Sequence, residues 1–333
     1  MSASLSQSLR QELRKLSPLD LYGTFYLVVL LFCVLFGHGP RRDHAVVVVS
    51  LDLIFCLVLI YAVRIKRAVP TNWFVELVYR LSMLGVTAGT YLQLKYILPA
   101  ASRAALDAQI YSFDMKVFGV EPSLLWDQYV TPRTTEWFAF FYYSHFFVLT
   151  AHAIPFLLFG KNQRRLVHVV MMTLLVFCTG HLLYIAVPGF GPTHHLKDLF
   201  VNRLEGGLFW NLVQKAVATN GAQKDIFPSL HTAGPSMFVM FAWVHRKSTP
   251  FKYTWAFLGV WTTQIIIATM FLRWHYLVDI VAGLILAATS CYLALRITDW
   301  EIARRERLGL PPVFDLQGLP WAAKHTETSQ EAA

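Results

Sequence analysis

The chain has 333 residues, 56% of them hydrophobic and 15% charged, with a mean hydropathy of +0.46. Globular proteins average about 45–50% apolar and about 25% charged residues, so this balance argues for a bilayer protein and against a water-soluble enzyme. The net charge of +9 sits mostly beside apolar runs rather than on a separate basic domain, which excludes nucleic acid as a partner and leaves membrane topology as its cause.

In chain order, a polar segment over residues 1–20 leads into one membrane domain over 21–297, and a polar tail fills 298–333. Apolar runs of roughly the 20 residues that cross a hydrocarbon layer recur at 21–37, 44–63, 72–92, 136–159, 166–187, 227–244, 254–272 and 276–297. The expected fold class is therefore all-α, a polytopic membrane helix bundle of about eight transmembrane helices. The charged start, with Arg10, Arg14 and Lys15, does not read as a cleaved signal. Basic clusters fall on alternate connections: that start, Arg64/Lys66/Arg67, Lys161/Arg164/Arg165, Arg246/Lys247/Lys252, and Arg296, Arg304, Arg305, Arg307 and Lys324. Both termini are thus expected in the cytoplasm. Cys33, Cys56, Cys178 and Cys291 all lie in apolar runs without paired spacing, so neither a disulfide framework nor a zinc site is indicated.

Two long outer segments remain. Residues 95–135 carry Ile110, Phe113, Val117, Leu124 and Leu125 at helix-like intervals, broken by Gly119 and Pro122, and read as one or two interfacial amphipathic helices. Residues 188–227 open on Pro188-Gly-Phe-Gly-Pro192 and read as a loop folded against the membrane surface. Within the spans, Glu76 and Arg80 are spaced to pair. Gly234-Pro235 sets a kink, and Asp52 is a packing or inner-cavity polar group.

The chemistry concentrates in two places. Pro228-Ser-Leu-His231 opens the sixth span; Pro228 suits a first helical turn, and the helix start with Ser229 forms a phosphate cradle beside His231. Arg273-Trp-His275-Tyr-Leu-Val-Asp279 opens the last span. His275 and Asp279 are four apart, on one helix face, so the carboxylate can hold one imidazole nitrogen and free the other for attack. Arg273 suits phosphate oxygens. Both pieces fall on the extracytoplasmic side, where they can form one site. Tyr143 and His145 either reach that site or bond a neighbouring helix.

These residues resemble the type 2 phosphatidic acid phosphatase superfamily, whose second motif is Pro-Ser-Gly-His and whose third contains His-x-x-x-Asp. Phe227-Pro-Ser-Leu-His231-Thr with His275-Tyr-Leu-Val-Asp279 looks closest to the inositol phosphorylceramide synthase-like branch, as do Asp114, Phe118-Gly119 and Tyr143-Ser-His145. The resemblance implies that His275 attacks phosphorus, Asp279 orients it, and His231 protonates the leaving oxygen. Water would resolve the phosphohistidine to a phosphatase outcome, a lipid alcohol to head-group transfer. No metal or other cofactor is implied, and membrane lipids are the substrates. The family's first motif, Lys-x6-Arg-Pro, becomes Tyr184 and Gly191 when aligned on Pro192; the usual third-motif arginine is Thr269, and the second-motif glycine is Leu230. Arg273 is then the first replacement cation, followed by Arg133, Lys197 and the pair His194/His195, which also read as solvated loop charges. A transporter would place its ionisable groups nearer span centres, and a metallohydrolase lacks HExxH or Cys/His spacing.

Overall fold

The computed structural model describes residues 12–66, 73–102, 104–160, 162–220 and 224–314. The N-terminal segment to residue 11, the tail from 315, and Arg10, Arg67, Lys161 and Lys324 lie outside the described residues. Ten helices carry the fold: α1 (Pro18–Phe36), α2 (Arg42–Ile60), α3 (Trp73–Ala101), α4 (Asp107–Phe118), α5 (Pro132–Phe159), α6 (Gln163–Ala186), α7 (Leu208–Asn220), α8 (Leu230–Val244), α9 (Phe251–Phe271) and α10 (Leu277–Leu308). No strand occurs among the described residues.

Six of these helices, α1, α2 with its π-helical continuation, α5, α6, α9 and α10, are long and apolar enough to cross a membrane. The other two expected spans also form helices. The 29 residues of α3 include Glu76, Arg80 and Lys95, and the 15 of α8 fall short of the usual ~20-residue crossing. Outward positions such as Phe25, Phe32, Leu51, Phe257, Val260 and Ile285 are large, apolar and exposed, a face that suits hydrocarbon rather than water.

Lipid tails are as apolar as leucine, so close packing rather than the hydrophobic effect joins helices inside a bilayer. Two glycines show it. A Cβ at Gly180 on α6 would meet the Leu230 side chain at 2.5 Å, and one at Gly283 on α10 would meet the Ser229 carbonyl oxygen at 2.6 Å. Leu230, which stands where the resemblance has glycine, is thus seated in room left by a glycine on another helix.

The two ends of the bundle differ in chemistry. At one end, buried charges are paired: Arg64 with Asp20 at 3.1 Å and with Tyr79, Arg80 with Glu76 at 3.2 Å as expected, and Arg305 with Glu301 at 2.6 Å. Val313 and Phe314 are buried there too, with Phe314 under Arg80, so the beginning of the tail belongs to the core.

At the other end, carboxylates tie down backbone N–H groups. Asp107 accepts from Phe190 and Gly191, Asp114 from Leu277 and Val278, Asp127 from Val201 and Asn202, and Glu136 from Gly207, Phe209 and Trp210. The first outer segment is helical as expected, in α4. The second is not only loop: α7 lies within it, its N-terminal donors capped by Glu136 and its face formed by Val213, Ala216 and Val217, positions that share one side of a helix.

Two outcomes test this packing. Gly283→Ala should push the Ser229 turn and cost the ~1–3 kcal/mol typical of overpacking, read as a lowered melting temperature in detergent together with reduced turnover; an unchanged melting temperature would contradict the close approach. Glu121, buried between α4 and the single turn Pro122–Leu125, is pushed up to about 7 by burial, with Asp114 and Asp279 adding to the rise against its bonds from Ser123. An acid with a raised folded-state pKa contributes stability below its unfolded pKa, near 4.5, and loses it as pH rises through about 7. The stability of Glu121→Gln relative to wild type should therefore climb across that window and level off above it, measured by thermal unfolding; parallel pH profiles would refute the assignment.

Candidate active site

The start of α10 is set by its donors. Asp114 receives the Leu277 and Val278 N–H groups at 3.3 and 2.6 Å, and Asp279 receives the Tyr276 N–H at 2.9 Å, closing the first turn on itself. The helix therefore begins at Leu277, so His275 precedes it rather than sharing its face, contrary to the helical expectation. The contact forms all the same: His275 Nδ1 lies 3.4 Å from Asp279 Oδ2, with both side chains buried. That approach is long for a hydrogen bond, as catalytic bonds often are before substrate tightens them.

The start of α8 is equally determined. Ser229 is the cap and its hydroxyl accepts the Thr232 N–H at 3.3 Å, so Pro228 lies ahead of the cap instead of opening the first turn. Ser229 N–H donates to the Asp279 carbonyl at 3.0 Å, and Leu230 N–H bonds the Tyr184 hydroxyl. Of the four orphan donors at a helix start, three are thus engaged and His231 N–H is the one left for a phosphate oxygen. Ser229 itself is fully buried and does not line the cavity.

The α8 and α10 starts bring His231 and His275 to a ring separation of 6.0 Å. His145, from α5, packs with its ring centre 4.2 Å from that of His231, and Tyr142 stacks on His231 at 4.5 Å. Two of the three histidines lie on helices, α5 and α8, and His275 on the turn that leads into α10. His231 and His275 open into a cavity of about 530 Å³ whose walls include Tyr91, Tyr143, Phe190, His194 and Trp274, together with Val213 and Val217 of α7. A second, apolar cavity of about 210 Å³ runs from His231 and His145 down between α3, α5, α6 and α8, past Leu149, Phe177, Tyr184 and Phe238. Tyr91, Phe146, Asp225 and His231 border both.

The remaining expected residues divide. Tyr143 and His194 line the main cavity, and His145 reaches the histidine pair. Arg273 does not: it takes a left-handed backbone conformation (φ 65°), bonds Asp127 at 2.6 Å and the Asn202 carbonyl at 2.6 Å, and stacks over Phe200. A guanidinium already held by a carboxylate ties down the loop at Asn202 instead of serving the cavity. His195 packs on Tyr111, Lys197 is exposed on a turn, and Arg133 borders a shallow surface depression with Trp137. Sequence reasoning missed Lys224 and Asp225, the charged residues other than histidine in the main cavity's lining. The signal was present, since Asp225 stands two residues before Phe227-Pro-Ser-Leu-His231 at the mouth of a span, where ionisable groups are functional candidates.

Chemically, a histidine oriented by a buried carboxylate and faced by a second histidine suits nucleophilic attack with general-acid assistance. Among the described residues no cluster of three or more His, Cys, Asp or Glu side chains is arranged to hold a metal ion.

Comparison with known families finds a model described as the PAP2 superfamily matching residues 108–293, a stretch that contains all but the first residue of α4, both His231 and His275, and the first half of α10. Neither a curated protein nor a solved structure matches the chain. The match covers more than half of the 333 residues, and the chain belongs to the PAP2 superfamily, as a membrane protein of the lipid phosphatase type that acts on phosphoesters.

Proposed function

We propose that the protein transfers a phosphorylated head group between membrane lipids through a phosphohistidine on His275. The observation that carries this reading is the facing of His231 and His275 at 6.0 Å over Asp279. With Nδ1 turned to Asp279, Nε2 is the ring nitrogen left to attack phosphorus. The N–P bond forms as the P–O bond to the first alcohol breaks, and His231 delivers the proton that the departing oxygen takes. In the second half the acceptor oxygen displaces His275, and its proton returns to His231.

Transfer is favoured over hydrolysis by the apolar cavity that meets the main one at His231. A chain-bearing alcohol lying there presents its hydroxyl to the phosphohistidine without leaving hydrocarbon, as a ceramide or diacylglycerol-type acceptor would. The likeness of the Leu230 motif to the inositol phosphorylceramide synthase-like branch points the same way, with inositol phosphate as the group moved. Water as second substrate, releasing phosphate from phosphatidic acid or a polyprenyl phosphate, is the competing outcome. In this reading α3 and α8 also cross the bilayer, giving eight spans, with both termini cytoplasmic and the histidines on the extracytoplasmic side.

Purified protein incubated with labelled lipid donors, with and without a lipid alcohol, should yield a labelled lipid product and an acid-labile phosphoenzyme. His275→Ala should abolish the phosphoenzyme. His231→Ala should slow release of the first product by about 10²-fold or more, the usual scale of general-acid assistance. Free phosphate as the sole product would reject transfer, and ordinary turnover by His275→Ala would reject the nucleophile.

A further inference from the structure

A phosphate group carries negative charge into a partly dehydrated cavity, where an uncompensated charge is costly, so a cation should stand beside it. Arg273 is committed to Asp127, and Arg133 and Lys197 do not line the main cavity. Among the described residues, Lys224 is the one lysine or arginine in the lining of either cavity. The backbone puts it there. Gly189 N–H donates to the Lys224 carbonyl at 3.4 Å, and Gly189 forms a parallel bridge with Asp225. The segment ahead of α8 is thereby registered against the turn over residues 188–192. Lys224 has a left-handed backbone (φ 92°), a conformation that costs a non-glycine residue free energy and clusters at functional sites. Its ammonium lies 5.6 Å from the centre of the Phe190 ring, on which His194 stacks at 4.7 Å. Phe190, Thr193, His194 and Lys224 all line the cavity into which His231 and His275 open.

The same turn shows why the cation comes from this segment. Gly191 stands where the resemblance has the first-motif arginine. Its φ is 87°, and a Cβ there would collide with the Trp274 carbonyl oxygen, so neither the conformation nor the space admits a side chain. Tyr184, at the position of the motif's lysine, is engaged with Leu230 N–H. Lys224 brings a positive charge from across the bridge to the ring of Phe190, the residue next to Gly191. Asp225 lines the cavity too; protonated or ionised, it supplies no positive charge.

We propose that Lys224 is the phosphate-binding cation of this site, resting over Phe190 and donating to the phosphoryl oxygens, with the Thr193 hydroxyl and the His231 N–H as neutral donors. An ammonium has three N–H donors, and its attraction to an aromatic face is one of charge to the ring quadrupole, so the contact with Phe190 is compatible with donation to phosphate. The assignment rests on the phosphotransfer reading above only in setting the phosphorus between His231 and His275.

The test uses the full chain in detergent with inorganic phosphate and orthovanadate as probes. Binding is read from the ligand-dependent melting temperature, which needs no turnover. Lys224→Met, which keeps an unbranched side chain of similar length, should weaken both anions by about tenfold or more, the scale of a hydrogen bond to a charged group. Lys224→Arg, which keeps the charge, should recover most of that binding. Lys197→Met removes the same charge from an exposed turn outside the lining and should bind both anions as wild type does. Unchanged anion binding in Lys224→Met would overturn the proposal. So would an equal loss in Lys197→Met, which would make the effect one of overall charge, or a Lys224→Arg protein that binds no better than Lys224→Met, which would make it one of shape. The phosphohistidine reading is reported separately by the phosphoenzyme. A wild type that binds inorganic phosphate through Lys224 yet forms no phosphoenzyme would refute the nucleophile and leave the Lys224 site standing.

Discussion

The carboxylate of Asp114, taking the Leu277 and Val278 N–H groups, decides where α10 starts, and the site depends on that decision. A helix start inside a bundle exposes donors that no water satisfies, and an unmet buried donor costs a few kcal/mol. By meeting them, Asp114 leaves Tyr276 as the cap and places His275 just outside the helix, bent back over Asp279. Ser229 then bonds the Asp279 carbonyl, which ties the α8 start, and with it His231, to the same point. One acid on α4 thus sets the relation between two histidines 44 positions apart in the chain.

The same device repeats around the histidine end of the bundle. Asp107, Asp127 and Glu136 each accept two or more backbone N–H groups from the segment between α6 and α8. These carboxylates lie on the segment between α3 and the first turns of α5, so the earlier outer segment works as a frame on which the later one is hung. Arg273 belongs to this frame through Asp127, which explains why the cation nearest His275 in sequence does not line the cavity.

Much of this was legible beforehand. Apolar runs of bilayer length located the long helices, since the periodic signal is strongest where segments are longest, and the spacing of Glu76 and Arg80 gave their ion pair. The convergence of His231, His275 and Asp279 followed from placing both motifs at the same end. What escaped was set by capping and by tertiary contacts. The exact helix starts depend on Ser229 and Asp114 as partners, which propensity does not encode. The α7 helix hides in a Gly- and Pro-flanked loop because its stability comes from Glu136, some 70 positions earlier. The fate of Arg273 turned on Asp127, a residue with nothing in its local sequence to mark it, and Asp225 passed unnoticed beside a motif with more familiar chemistry.

The meeting of a wide cavity with a narrower, more apolar one at His231 has a consequence for the order of events. On the proposed transfer, two reactants of unlike solubility would approach the same phosphorus by different routes, one from the wider cavity and one from the apolar one. An intermediate held on His275 in that proposed transfer would act as a relay between two solvents, and the wall where the two cavities touch is formed by Tyr91, Phe146, Asp225 and His231.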